Sequence, residues 1–191
     1  MITTLYLTLA LILTTTIYLK TQKISNLSTH QGIQLINKSF LFLSIAYLLQ
    51  ILITTSTLPF SKLAIFNALT NPVATYLFTI SALYLSTSLF WKNQTKDSTP
   101  LHSLAILITI LNNFTNILPL VLTAIYTFTA FKAYENYTFK KTIFSQSLLI
   151  AIALLALASL SSIFYNLSSS YAMNLTAFSI FLYGTLKTMK K

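Results

Sequence analysis

Residues 101–131 read LHSLAILITILNNFTNILPLVLTAIYTFTAF. The stretch carries no Asp, Glu, Lys or Arg across 31 positions, which suits an apolar solvent. Its centre, Asn112-Asn113-Phe114-Thr115-Asn116-Ile117-Leu118-Pro119, decides the fold. One helix of ~28 residues or more would run ~42 Å, well past the ~30 Å hydrocarbon core of a bilayer, although tilt absorbs part of the excess. Two helices, 98–114 and 117–137, would measure roughly 25 and 31 Å, both inside the working range. Three Asn within five residues are weak helix formers and good caps, and Pro119 follows Asn116 by three positions. A break is expected.

Composition supports the membrane setting. Of 191 residues, 55% are apolar and 7% charged, against about a quarter charged in a typical soluble domain. The two acidic residues are Asp97 and Glu135, and all twelve basic residues are Lys. So few charges cannot cover a water-facing surface. The apolar runs are continuous rather than alternating, so helices, not a barrel, are expected to satisfy the backbone in lipid. With no cysteine there is no disulfide, thiol chemistry or thiolate metal site. A net charge of +10 raises the possibility of nucleic acid, but the lysines sit at the ends of apolar runs, as in membrane helices; no nucleic acid is expected.

The expected fold is all-α: a polytopic bundle in a single membrane domain, residues 1–191. Its spans are placed at about 2–19, 33–55, 73–91, 98–114, 117–137, 146–164 and 171–186. The first resembles a signal peptide in position only, because no basic residue precedes it and no A-x-A pattern follows. Polar loops are expected at 20–38, with Ser28 or Thr29 as a cap, and at 132–145. Phe60 to Leu69 reads as a short surface helix, and Pro72 as the first turn of the third span. Trp91 and Lys92 form an interface anchor, and Ser98 or Thr99 with Pro100 opens the fourth helix.

Lysine placement separates seven spans from six, because positive charge in short loops gathers on the cytoplasmic side. Seven spans put eleven lysines on one side and Lys62 alone opposite; six spans give five against seven. Seven helices are expected, with the N-terminus outside and the C-terminus inside.

Signals for chemistry are sparse. No carboxylate lies inside a span, which weakens ion-coupled transport. Lys187 ends the last span rather than sitting at mid-depth, so Schiff-base retinal chemistry is excluded. His30 and His102 fall on the same expected inner face, with Gly32 beside the first. Two histidines without a carboxylate or thiolate make an incomplete ligand set, so interfacial roles are expected, and no metal or cofactor. Asn112, Asn113 and Asn116 either line a polar pocket near the outer surface or serve as turn and cap residues. Gln50 and Gln146 read as interhelical hydrogen-bond partners or as pocket groups.

Between Tyr18 and Gln50, the residues Lys20-Thr21, Ser28, His30, Gly32-Ile33, Phe40-Leu41-Phe42 and Tyr47 form a recognisable patch. It resembles the first loop and second helix of uncharacterised archaeal polytopic membrane proteins. The basic and aromatic residues expected after Gly-Ile are replaced by Gln34-Leu35-Ile36-Asn37. The resemblance covers about a sixth of the chain and implies a prokaryotic cell membrane and interest in the His30 loop, but no activity.

Two functions fit. One is a non-catalytic, sensor-like or scaffold bundle whose lysine-rich inner side meets a cytoplasmic protein or anionic lipid headgroups. The other is a small permease for an uncharged substrate. No acid–base or nucleophile set points to an enzyme.

Overall fold

The computed structural model describes residues 2–27, 30–56, 60–90, 98–164 and 166–189, with backbone only at 60–66 and 189. Among them it is entirely helical, with seven helices: α1 (Ile2–Leu27), α2 (Gln31–Thr55), α3 (Phe60–Thr87), α4 (Thr99–Thr115), α5 (Leu118–Lys140), α6 (Ile143–Ile163) and α7 (Leu167–Met189). Three of them, α1, α2 and α6, are long and apolar enough to cross a membrane.

The central stretch breaks at Asn116. That residue is left-handed (φ 48°, ψ 41°), and its N–H donates to the Asn112 carbonyl. Asn tolerates this conformation better than most residues. Asn112 Oδ1 accepts the Leu118 N–H at 2.8 Å, capping α5, and Pro119 sits in the first turn, where its missing N–H costs nothing.

Three local expectations are corrected. The polar stretch 20–38 is mostly helix, since α1 continues to Leu27 and α2 begins at Gln31. Its N-cap is His30, without a side-chain cap bond, and Ser28 and Thr29 lie outside the described residues. The stretch 132–145 is likewise helical except for a two-residue turn at Lys141 and Thr142. Hydropathy marks the part of a helix suited to lipid, whereas Lys and Gln continue a helix well beyond it. Third, Pro72 does not begin a helix. It lies inside α3, which joins the expected surface piece to the expected span. Pro72 removes one backbone bond, whereas ending the helix there would give up several. Trp91, Lys92 and Asp97 lie outside the described residues.

Packing order explains the architecture. Contacts run α1–α2–α3–α5–α6–α7 and back to α1, a closed ring of six, with α4 on its outside against α3. Helix α4 accordingly exposes Leu104, Ile106, Leu107, Ile110, Leu111 and Phe114. A continuous apolar face of this kind is rare in water and suited to lipid. Within the ring, Phe40 packs on Phe181 with ring centroids 4.7 Å apart, alongside the fully buried Ile17 and Ile152.

Small and hydroxylated residues let the helices approach. A Cβ on Gly184 would come within 2.6 Å of Ser147 Cβ, and one on Gly32 within 2.8 Å of the Ser88 carbonyl oxygen. Ser39 Oγ donates to the Ser81 carbonyl at 2.9 Å, tying α2 to α3, and Thr21 donates to Asn37 at 3.0 Å, tying α1 to α2. Many other hydroxyls turn back onto their own helix, as Thr14 does to Ala10 at 2.8 Å and Thr129 to Ile125 at 2.6 Å. Such hydroxyls are satisfied locally and need no polar channel.

Candidate functional site

Two chambers stand out in the ring, one toward each end. The larger, about 720 Å³, lies where α2 and α6 begin and α5 and α7 finish. His30, Lys140, Lys141 and Lys187 line it, above a floor that includes Ile36, Phe144 and Leu148. Among the described lining residues there is no carboxylate. Glu135, one turn earlier on α5, is engaged by the Lys132 ammonium.

Local sequence explains each position. Lys141 follows the last residue of α5 in a left-handed conformation (φ 43°, ψ 35°), its N–H donating to the Tyr137 carbonyl at 2.8 Å. Glycine is the usual residue there, and a lysine carries a strain of roughly 1–2 kcal/mol. Thr142 then opens α6 through reciprocal bonds: its Oγ1 accepts the Ser145 N–H at 3.2 Å, and Ser145 Oγ accepts the Thr142 N–H at 3.1 Å. Lys187, in the last turn of α7, donates to Tyr183 Oη at 2.9 Å and lies over that ring. Gly32 brings the start of α2 against Ser88, which closes the wall near His30. The first turns of α2 and α6, the positive ends of their helix dipoles, both contribute to the wall. The whole suits an amphiphile with an anionic head: cations around the rim, hydrocarbon beneath.

The smaller chamber, about 300 Å³, lies toward the other end. It is lined by Tyr6, Tyr47, Gln50, Tyr126, Tyr171 and Asn174, among others. Ile36 and Leu148 belong to the first chamber, and Leu43 and Leu155 to the second. Each pair is separated by seven positions, so ~10 Å of packed side chains, including Phe40, Ile152 and Phe181, divides the two.

The residues singled out from sequence fall in three places. His30 and Gly32 belong to the lysine chamber. His102 does not join them. It sits between two phenols of α3, with Nδ1 2.5 Å from Tyr76 Oη and Nε2 3.0 Å from Tyr84 Oη. A neutral imidazole satisfies both, donating to one hydroxyl and accepting from the other. Asn112 and Asn116 form the turn between α4 and α5, and these two and Asn113 line neither chamber. Gln50 lines the second chamber. Sequence reading missed the convergence of Lys140, Lys141 and Lys187, because their helices meet only in the ring. It missed the tyrosine cluster too, although four Tyr inside charge-free runs signal buried hydroxyls in need of partners. Among the described residues no group of three His, Asp or Glu side chains is placed to hold a metal. No protein-family model, curated protein or solved structure matches the chain.

Proposed function

We propose that the chain is a multi-pass membrane protein of the cell membrane, its seven helices crossing with the N-terminus outside and the C-terminus inside. It acts as a non-catalytic module that holds an anionic lipid headgroup at its inner face. The observation that carries this reading is the chamber rimmed by Lys140, Lys141, Lys187 and His30 over an apolar floor, with no carboxylate among its described lining residues. A phosphate there would meet several ammonium groups, each worth about 1 kcal/mol near an anionic surface, while acyl chains continue over Ile36 and Leu148. Transport of an uncharged substrate ranks second, since the packed layer around Phe40 and Phe181 separates the two chambers.

The test is lipid retention. The purified chain is placed in nanodiscs of phosphatidylcholine with one-fifth phosphatidylglycerol, and bound lipid is read by native mass spectrometry after release into detergent. Phosphatidylglycerol should be retained above its share, and K140A/K141A/K187A should return it to that share. Equal retention of both lipids by the unaltered chain would refute the reading.

A further inference from the structure

We propose that the second chamber is a binding site for a small uncharged ring compound bearing a hydrogen-bond acceptor such as a carbonyl oxygen. This goes beyond the lipid reading and does not depend on it. The chamber lies toward the end of the ring opposite the lysines, reaching from Thr3 and Leu118 at helix ends to Tyr126, eight positions into α5, a depth of roughly 12 Å.

Its polar groups divide into two kinds. Tyr6 Oη is engaged twice, by Tyr47 Oη at 3.0 Å and by Asn174 Nδ2 at 3.2 Å. These bonds tie α1 to α2 and α7, and they hold the wall. Tyr126 differs. It is only 7% exposed and lines the chamber, yet its phenol makes no hydrogen bond to any described residue. Ser170, 5% exposed and also in the lining, has an Oγ in the same state. Neither oxygen is sealed inside protein, so both are open to the chamber, where a bound acceptor can take the place of water.

The walls set the chemistry of that partner. Among the described lining residues there is no Asp, Glu, Lys, Arg or His, so an ion would meet no countercharge from them and a neutral ligand is favoured. Tyr6 stacks on Tyr171 with centroids 4.0 Å apart and planes 12° apart, while Tyr47 stands edge-on to Tyr6 at 6.1 Å. Such surfaces favour a flat ring. About 300 Å³ lies at the lower limit for ligand pockets, which suits one ring with short substituents. A lipid chain would leave the Tyr126 and Ser170 hydroxyls without partners.

The experiment uses the full chain in detergent and saturation-transfer NMR with acetophenone, benzamide and methyl benzoate. Toluene serves as the ring without an acceptor and benzoate as the charged control. At least one of the three neutral acceptors should bind saturably, and Tyr126→Phe should weaken it by about three- to tenfold, the worth of one hydrogen bond. Because Tyr126 bonds to no described residue, Tyr126→Phe should leave the melting curve in place, so a lost signal would not reflect a lost fold. Toluene should bind more weakly and ignore the substitution, and benzoate should not bind. The proposal is overturned if no acceptor binds saturably, if toluene matches the acceptors in affinity and in response to Tyr126→Phe, or if a lipid or detergent chain fills the chamber.

Discussion

Asn112 and Leu118 meet across the turn that divides the middle of the chain, the Asn112 Oδ1 accepting the Leu118 N–H at 2.8 Å. Asn112 thus closes α4 with its backbone carbonyl and opens α5 with its side chain, and the left-handed Asn116 reverses the backbone between them. Asn116→Val places a β-branched residue in that conformation and should destabilise by about 1–2 kcal/mol. Asn116→Gly should be neutral within about 0.5 kcal/mol. Asn112→Leu removes the cap and should cost about 1 kcal/mol. Unfolding monitored by circular dichroism in detergent checks all three; an Asn116→Val chain as stable as the parent would mean the turn tolerates another geometry.

Gly184 and Ser147 set the separation of α6 and α7. A methyl group at 184 would press within 2.6 Å of Ser147 Cβ, so Gly184→Ala should destabilise by about 1–3 kcal/mol through overpacking. Ser147→Gly should restore most of that loss in the double variant, giving a favourable coupling. If the two losses simply add, the contact does not govern the spacing.

These two cases show what is legible in a sequence of this kind and what is not. The break at Asn116 was legible because turn chemistry is local: three Asn and a Pro specify it whatever packs around them. The extents of α1 and α5 were not, because hydropathy ends at Lys20 and Lys132 while the helices continue to Leu27 and Lys140. Pro72 misled for a related reason, since a helix already formed on both sides loses one bond at a proline but several by ending there. The site was legible in part. His30 and Gly32 stood out as unusual residues in a polar stretch, but the Lys141 conformation and the meeting of Lys140 with Lys187 follow from helix order around the ring.

His102 binds α4 to α3 through both ring nitrogens. His102→Leu leaves the buried Tyr84 hydroxyl without this partner and should cost about 1–3 kcal/mol. In a Tyr84→Phe background the same substitution should cost less, because the stranded group is already gone. Hydrogen exchange should show the loss in residues 99–106 and leave α6 protected. Uniform loss of protection across the chain would place His102 in the global core instead.

Orientation carries its own expectation. With seven crossings, a reporter fused after Lys191 reads cytoplasmic, and a cysteine at Thr3 is labelled by an impermeant maleimide from outside. An external reading at the C-terminus, with Thr3 still labelled from outside, leaves an even number of crossings and removes the charge asymmetry on which the orientation rests.

Lys141 is the residue at which fold and proposed function pull apart. In its left-handed position (φ 43°) a side chain is strained where glycine would not be, and the proposed headgroup contact gives the lysine a use. Lys141→Gly relieves the strain but gives the unfolded chain more freedom, so stability should rise by no more than about 1 kcal/mol. Phosphatidylglycerol should raise the melting temperature of the parent chain in detergent, by mass action on the folded state, and raise that of Lys141→Gly less. Lys141→Arg, which keeps both charge and strain, should respond like the parent, and added salt should blunt the response in both. If Lys141→Gly responds as fully as the parent, the lysine is there for another reason and the headgroup does not touch it.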